Sequence, residues 1–424
     1  MNFNETFEDF MSIFMNKLKN LPIWQKNLVI LGISCSFSCS SYTMIIPFLP
    51  IYLLKDLHVP AAEVKFWTGI LFSIAFLFGA LMSPYWGARA DKEGRKTMII
   101  RAGVLLGVVY IASGLVRNQY ELFICRAIHG MVMGFIPGSL ALMSDSLPEN
   151  KRGWGLGMMQ SGIAAGAIMG PLLGGFLADV FGMRASFFVA GANLLLVTLA
   201  VKLFVQEDFT PKVTSKNGGL LSNLSIAFHN KSLFHMLLLF FAVQASTLIM
   251  QPLITIYVAQ LMGGSPDEAI FAAGVVFSAA GVSTVMAAPF WGRRGQAHGY
   301  TKVLFVTMIG AGCILALQVF TTKVWAFGSV QFFYGLLLAG TAPSINANIV
   351  DSTPEAFRGR AFGLATAFQQ LGSMTGPIIG GVLGSYMEIK YVFLITGLIL
   401  ITAGYSTKIY KPVSTVGIEN IAKD

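Results

Sequence analysis

One cation and one imidazole inside an apolar stretch are the side chains of this sequence best able to do chemistry. Arg126 and His129 lie one helical turn apart in the run LFICRAIHGMVMG, which is otherwise apolar. A guanidinium within a membrane is costly, so its default interpretation is functional, and it needs a carboxylate or carbonyl as acceptor. His129 could change charge near neutral pH. The alternatives are an Arg126 satisfied by carbonyls near the membrane surface, and a His129 that only packs.

Glycines at a spacing of four form a second feature with a physical purpose. The segment GIAAGAIMGPLLGG contains Gly162, Gly166, Gly170, Pro171, Gly174 and Gly175. Its glycines at intervals of four fall on one helix face, and a face without side chains lets another helix approach backbone to backbone. The proline removes one helical hydrogen bond and bends the helix. We expect a smooth, bent helix that seals against a neighbour, although glycines at this spacing also occur in ordinary packing.

A charged loop provides the third candidate site. The segment GARADKEGRK contains Gly87, Asp91, Gly94, Arg95 and Lys96. A carboxylate such as Asp91 can accept hydrogen bonds from the free amides at a helix N-terminus. Arg95 and Lys96 could pair with acids and with anionic lipids. The alternative is a loop whose charges only fix the topology.

The elements that must position these residues are helices that cross a membrane. Of the 424 residues, 55% are hydrophobic and 12% are charged, and apolar runs of about 20 residues recur, as a hydrocarbon core requires. The runs do not alternate polar with apolar residues, which argues against a barrel. Twelve spans are predicted, at 28–51, 66–86, 97–116, 120–143, 154–178, 185–205, 233–260, 269–290, 302–321, 325–348, 361–384 and 390–408.

The distribution of Lys and Arg predicts the orientation. With both termini in the cytoplasm, 20 of them fall in cytoplasmic segments and 6 in outer loops, as the positive-inside rule requires. The net charge of +9 therefore reflects topology and contact with membrane lipids, and no nucleic-acid partner is expected. Residues 1–27 carry Phe and Leu at helical spacing, which favours an amphipathic helix on the membrane surface; a disordered tail is the alternative.

The chain repeats itself at a constant offset. PYWGARADKEG from Pro84 matches PFWGRRGQAHG from Pro289, and GPLLGG from Gly170 matches GPIIGG from Gly376. Six spans are thus duplicated, and an even number gives two parallel halves. The predicted domains are a cytoplasmic segment 1–27, a first half 28–205, a linker 206–232, a second half 233–408 and a cytoplasmic tail 409–424.

These motifs resemble the major facilitator superfamily, and within it the twelve-span drug:proton antiporter family. The charged loop after the second span, an Arg-x-x-x-Gly-x-x-x-Gly run from Arg126, and the glycine-proline segment of the fifth span each resemble a motif of that family. The resemblance implies a bacterial inner-membrane protein that works as a monomer, uses no cofactor and takes its energy from the proton gradient.

 The resemblance also assigns roles to these residues. The segment Gly162–Gly175 forms a seal with the span at 269–290 in the other half. The loop acid Asp91 docks on the opposite half as a latch, and Arg126 tunes a proton-carrying acid.

A proton antiporter needs a titratable group, and no Asp or Glu lies in the middle of a predicted span. The candidates are therefore Glu121, at the outer start of the fourth span, Asp145, at its inner end, and His129. Proton coupling comes from the resemblance, since none of these residues requires it. The second copy of the charged loop has Gln296 in place of Asp91, which predicts a latch on one half only.

The resemblance also implies a substrate cavity between the first, fourth, seventh and tenth spans. Its candidate residues are Ser38, Tyr42, Met133, Gln244, Gln251, Gln331, Tyr334 and Asn346. Methionine and aromatic side chains make an adaptable apolar pocket, which favours multidrug efflux of amphipathic small molecules. The alternatives are a dedicated exporter of an endogenous metabolite such as a siderophore, an importer, or a sensor without transport. The sequence shows no set of residues for catalysis and no metal-ligand spacing, so neither an enzyme nor a metal site is expected.

Overall fold

The computed structural model describes residues 21–148, 151–207, 230–263, 266–353 and 358–409. Described residues in regular elements are helical. Spans 1 to 6 consist of the helices Ile23–Ile45 and Leu49–Lys55 (span 1), Ala61–Glu93, Arg95–Leu115, Gln119–Val132 and Phe135–Ser146 (span 4), Arg152–Phe181, and Met183–Phe204. Spans 7 to 12 consist of Lys231–Leu261, Pro266–His298, Tyr300–Leu317, Val324–Leu338 and Thr341–Asp351 (span 10), Arg358–Tyr386, and Ile389–Ile409.

This architecture confirms the all-α membrane fold. Eleven of the spans are long and apolar enough to cross a bilayer among the described residues. The twelfth prediction, 361–384, corresponds to helix Arg358–Tyr386, which is span 11. Residues 1–20 of the predicted amphipathic segment 1–27, most of the linker (208–229) and the tail from 410 lie outside the described residues. We call the membrane side that holds residues 21 and 409 the near side, and the opposite one the far side.

Spans 4 and 10 are each broken near the middle, which the sequence analysis did not predict. Span 4 breaks at Met133 and Gly134, where Gly134 has a φ of 144°, a conformation that side chains disfavour. The indole of Trp86 donates to the carbonyl of Met131, 2.6 Å away, just before this break. Its counterpart in the second half, Trp291, donates to the carbonyl of Leu336 at 2.7 Å. The repeat therefore extends to the hydrogen bonds that satisfy carbonyls at the breaks.

The glycine stripe of span 5 packs on span 1, so the prediction that span 8 is its partner is wrong for these four glycines. A Cβ placed on Gly162 would lie 2.8 Å from the carbonyl oxygen of Gly32. One on Gly166 would overlap the carbonyl oxygen of Ser36, and one on Gly174 that of Met44. The carbonyl oxygen of Gly166 also accepts a hydrogen bond from Thr43 at 3.3 Å. Close backbone packing is what the spacing predicts, but the spacing does not specify the neighbour.

The other side of span 5 does contact span 8, and this contact joins the two halves. A Cβ on Gly274 of span 8 would lie 2.6 Å from the carbonyl oxygen of Pro171. One on Gly281 would lie 3.0 Å from the side chain of Ile168. The hydroxyl of Ser278 donates to the carbonyl of Ile168 at 2.7 Å. Span 5 thus has one glycine face within its own half and a second close contact across the halves.

Span 11 repeats this arrangement. It packs on span 7 within the second half and contacts span 2 across the halves. A Cβ on Gly372 would lie 2.7 Å from the carbonyl oxygen of Phe241 in span 7, and one on Gly376 would lie 2.6 Å from that of Ala245. Across the halves, a Cβ on Gly381 would lie 2.6 Å from the carbonyl oxygen of Lys65. The two contacts between halves, spans 5 with 8 and 11 with 2, are therefore equivalent under the repeat.

We predict that a side chain on the stripe destabilises the first half. Gly166→Val places methyl groups where the backbone of span 1 lies, and overpacking of this kind costs about 1–3 kcal/mol. Gly157→Val is the matched control, since a Cβ there meets nothing within 4 Å. Thermal unfolding in detergent should show a clearly lower midpoint for Gly166→Val than for Gly157→Val. Equal midpoints would contradict the packing of span 5 on span 1.

Candidate functional site

Arg126 lies in a buried pocket made of two tyrosines and a histidine. Arg126 is 5% exposed, and its Nε and Nη2 atoms have no hydrogen-bond partner within the described protein. Tyr42 of span 1, Tyr110 of span 3 and Cys125 of span 4 lie near it. The ring centroid of His129 lies 5.9 Å from that of Tyr42 and 5.3 Å from that of Tyr110. The structure thus brings together Arg126, His129 and Tyr42, and adds Tyr110, which the sequence analysis missed.

The second half has a neutral version of this pocket. At an offset of 205, Arg126 corresponds to Gln331, His129 to Tyr334 and Tyr42 to Thr247. Gln331 is 2% exposed and its Nε2 atom has no partner among the described residues. The hydroxyls of Thr247 and Tyr334 lie 3.4 Å apart. The equivalent positions of the two halves therefore differ in charge, with a cation in the first half and an amide and hydroxyls in the second.

The remaining cavity candidates differ in how they are held. Ser38 is buried, while Met133, Gln251 and Asn346 are partly exposed. The amide of Gln244 donates to Ser373 of span 11 at 3.1 Å, so this donor already has a partner. No ligand contact tests these residues, and their role as a substrate cavity stays a prediction.

The charged loop builds an ion-pair cluster within the first half. Arg95 Nε lies 3.1 Å from Asp145 Oδ2, at the near end of span 4. The carboxylate of Glu207 accepts hydrogen bonds from the backbone N–H groups of Arg95 and Lys96, both at 2.8 Å. It therefore caps span 3, where the helix dipole favours an anion. The loop ties spans 3, 4 and 6 together on the near side.

This cluster changes two assignments from the sequence. Asp145, a candidate for proton coupling with Arg126, instead forms an ion pair with Arg95. The expected pairing of Arg95 with an acid is therefore found within its own half. The side chain of Asp91, the predicted latch, lies outside the described residues. Gly94 adopts a φ of 93° at the turn between spans 2 and 3, and a Cβ on Gly87 would meet nothing within 4 Å.

Glu121 also has a structural role that the sequence analysis missed. Its carboxylate accepts hydrogen bonds from the backbone of Arg117 at 2.8 Å and from the amide of Asn118 at 2.9 Å. Asn118 in turn accepts from the backbone N–H of Glu121 at 2.9 Å. This reciprocal pattern is a variant of the capping box at the exposed start of span 4, in which Glu121 accepts from the residue before the N-cap. The carboxylate is thus engaged at the far side, and we do not assign it to Arg126.

Arg101 is held inside the bundle and does not extend to the membrane surface as a snorkelling side chain would. Its guanidinium carbon lies 3.4 Å from the ring centroid of Trp86. Its Nη2 atom donates to the carbonyls of Val132 and Met133 at 3.3 and 3.4 Å, which end the first helix of span 4. A cation is favourable at a helix C-terminus. Arg101 therefore stabilises the break in span 4.

Two contacts close the far side between the halves. Lys65 Nζ of span 2 donates to the carbonyl of Gly384, at the end of span 11, at 2.6 Å. The hydroxyl of Thr255 in span 7 donates to the carbonyl of Pro47 in span 1. In the neighbouring far-side loop, burial raises the pKa of Asp56 from its ordinary value, and Arg184, 3.4 Å away, opposes this shift.

A bundle of two parallel six-span halves, joined through spans 5 with 8 and 11 with 2 and carrying a buried cation in span 4, has the architecture of a membrane transporter. The sequence matches the Major Facilitator Superfamily over residues 31–284 and 252–421. The chain therefore belongs to the major facilitator superfamily.

Relatives with known names support a narrower group. Multidrug resistance protein MdtG of Proteus mirabilis (strain HI4320) is 33% identical over 381 residues, which are 89% of this chain and 94% of that protein. The protein of the same name from Klebsiella pneumoniae (strain 342) is 32% identical over 385 residues, covering 91% and 93%. Both matches extend over nearly the whole length of each chain.

Solved structures show the same fold at low sequence identity. The nucleoside transporter NupG has a TM-score of 0.76 at 14% identity, covering 90% of this chain and 99% of that chain. A bacterial homolog to the human lysosomal transporter Spinster, in an inward-facing and occupied conformation, has a TM-score of 0.75 at 14% identity, covering 93% and 100%.

We predict that Glu207 is needed to hold the start of span 3. Glu207→Ala removes the acceptor for two backbone N–H groups, and loss of such a cap costs about 1 kcal/mol. Glu93→Ala is the control, since the partner of Glu93 among the described residues is Arg89 in an exposed ion pair, which is worth little. Hydrogen exchange of the amides at residues 95–99 should accelerate in Glu207→Ala alone. Unchanged exchange would contradict the cap.

Proposed function

We propose that this protein exports amphipathic small molecules from a bacterial cytoplasm across the inner membrane, by alternating access and proton antiport. The observation that carries the proposal is the pair of equivalent contacts between the halves, spans 5 with 8 and 11 with 2. They can separate while each half stays packed. The multidrug resistance relatives support efflux of several unrelated compounds.

The orientation follows from the charge distribution. With the near side in the cytoplasm, the charged loop and the Arg95–Asp145 pair lie at the cytoplasmic surface, as the positive-inside rule favours. The Lys65–Gly384 contact then closes the periplasmic side. In this orientation, the proposed substrate site is closed toward the periplasm. We further propose that the protein acts as a monomer, because one chain forms both halves.

For the proton, we propose His129 as the carrier and Arg126 as its regulator. Glu121 is engaged in a capping box and Asp145 in an ion pair, which supports the histidine over both acids. His129 is 3% exposed and its Nδ1 atom has no partner among the described residues. A positive charge on His129 next to Arg126 is unfavourable. Movement of Arg126 away from His129 and toward an anion would therefore let His129 accept a proton.

A dedicated exporter of one metabolite is the second candidate function. It is favoured by the one-sided cation at Arg126, because a single charge at a fixed position selects for one kind of group. The number of compounds that are transported separates the two functions.

We predict that amphipathic compounds dissipate a proton gradient in everted membrane vesicles that contain the protein. A pH-sensitive dye should respond to several unrelated compounds, and a response to one compound alone would favour the metabolite exporter. No response to any of a broad panel would contradict proton antiport.

The same assay tests the proton carrier. His129→Phe should abolish the response, because phenylalanine cannot be protonated. His235→Phe is the matched control, as His235 is a second buried histidine, in span 7, bonded to Ser406 at 2.7 Å. A normal response from His129→Phe would exclude His129 as the carrier.

A further inference from the structure

An apolar groove lies between spans 8 and 10 on the far side of the second half. Its volume is about 770 Å³, within the range of ligand pockets, about 300–1,000 Å³. Phe271 of span 8 and both Trp325 and Phe333 of span 10 line the groove and are exposed. Contacts made by Lys65 and Thr255 close the cleft between the halves on this side. The exposed apolar side chains therefore face the lipid.

The internal repeat shows why the second half has this groove. At the offset of 205, Ala272 corresponds to Trp67 and Gly328 corresponds to Phe123. In the first half, Trp67 and Phe123 are partly buried and pack against the core, and the ring centroid of Trp67 lies 5.2 Å from that of Tyr120. Ala272 and Gly328 line the groove of the second half. Two small residues thus leave open the space that two large aromatic residues occupy in the first half.

The mouth of the groove carries a positive charge. Lys323, just before span 10, is exposed and lines the groove. It forms no ion pair with a described carboxylate, and the side chains of Asp267 and Glu268, at the start of span 8, lie outside the described residues. The first half has Glu121 at this end of span 4, whereas the equivalent residue of span 10 is Ala326. A lysine without a paired acid therefore stands at the end of an apolar groove.

The length of the groove matches one leaflet of a bilayer. Its lining residues on span 10 extend from Val324 to Phe333, which is about 14 Å along a helix. Half of a hydrocarbon core of about 30 Å is about 15 Å. Trp325, which is 80% exposed, lies beside Lys323 at the level where tryptophan is enriched, the membrane surface. An acyl chain whose headgroup lies near Lys323 would therefore follow the groove to its inner end.

We propose that this groove binds a phospholipid of the far-side leaflet, with one acyl chain between spans 8 and 10 and the phosphate on Lys323. The chain fills the space that Trp67 and Phe123 fill in the first half. The phosphate provides a counter-charge for Lys323, and lysine is a common phosphate ligand. The site lies on the outer surface of the bundle, so it is separate from the cleft and from the transported substrate.

The test compares two lipids that differ only in the phosphate-containing headgroup. Dioleoylphosphatidylglycerol and dioleoylglycerol are titrated separately into the purified full-length protein in detergent, and native mass spectrometry counts the bound lipid. We expect the first phosphatidylglycerol to bind at a concentration about fivefold lower than the first dioleoylglycerol, because one lysine attracts an anionic headgroup by about this factor. Equal binding of the two lipids to the unmodified protein would overturn the proposal, and this result does not depend on any variant folding.

Two variants separate the headgroup contact from the groove. Lys323→Gln should lower the binding of phosphatidylglycerol to that of dioleoylglycerol. Gly328→Phe restores the residue type of the first half and should weaken the binding of both lipids. A Cβ on Gly328 would lie 3.5 Å from Val276, an ordinary contact, so the added ring can occupy the groove. A preference that persists in Lys323→Gln, or unchanged binding of both lipids to Gly328→Phe, would overturn the proposal.

Each variant has a matched control. Lys390→Gln removes a far-side lysine that is already paired with Glu388, and it should keep the preference. Gly157→Phe adds the same ring where a Cβ meets nothing within 4 Å, and it should bind both lipids normally. Loss of the preference in Lys390→Gln, or weaker binding of both lipids to Gly157→Phe, would overturn the assignment to this groove.

Two further outcomes distinguish other occupants. Glycerol 3-phosphate carries the phosphate without acyl chains, and it should not displace bound phosphatidylglycerol. Displacement by glycerol 3-phosphate at similar concentrations would show a site for free phosphate and would overturn the lipid assignment. A dimer without bound lipid that dissociates in Gly328→Phe would also overturn it, because a second copy of the chain would then cover the groove.

Discussion

The absence of side chains on one face of span 5 is the constraint on which the rest of the structure depends. Gly166 and Gly174 bring the backbone of span 5 against the carbonyls of span 1. In a bilayer there is little hydrophobic driving force between helices, so van der Waals packing at such close range holds them together. Gly372 and Gly376 do the same between spans 11 and 7. Each half becomes a rigid unit for this reason.

The opposite sides of spans 5 and 11 form the boundary between the halves. Here Gly274 and Gly281 of span 8 meet Pro171 and Ile168 of span 5, with one hydrogen bond from Ser278. A boundary of small residues is smooth, so it can close tightly without interlocking side chains. Rigid halves and a smooth boundary are the two properties that a rocking motion about a central cleft requires.

Much of this architecture could be predicted from the sequence, because the repeat and the apolar runs are strong signals. The spans could be read directly, whereas the sequence left open whether Arg126 is buried or lies near the membrane surface. The partner of the glycine stripe could not, since glycines at intervals of four indicate a close neighbour but not its identity. The roles of Glu207 and Tyr110 depend on which spans meet in three dimensions. The break in span 4 had a weak signal, Gly134, whose counterpart is Gly340 in the equivalent break of span 10.

A reversible crosslink between spans 5 and 8 tests the central claim most directly. In a chain without native cysteines, Ile168→Cys and Gly281→Cys place their thiols within reach, because a Cβ on Gly281 would lie 3.9 Å from the Cα atom of Ile168. A pair within one half, Gly32→Cys with Met159→Cys, is the control, since a Cβ on Gly32 would lie 3.9 Å from the sulfur of Met159. Oxidation of the first pair should stop transport and reduction should restore it, while the control pair transports in both states. Undiminished transport with the first pair fully crosslinked would contradict a boundary that must open.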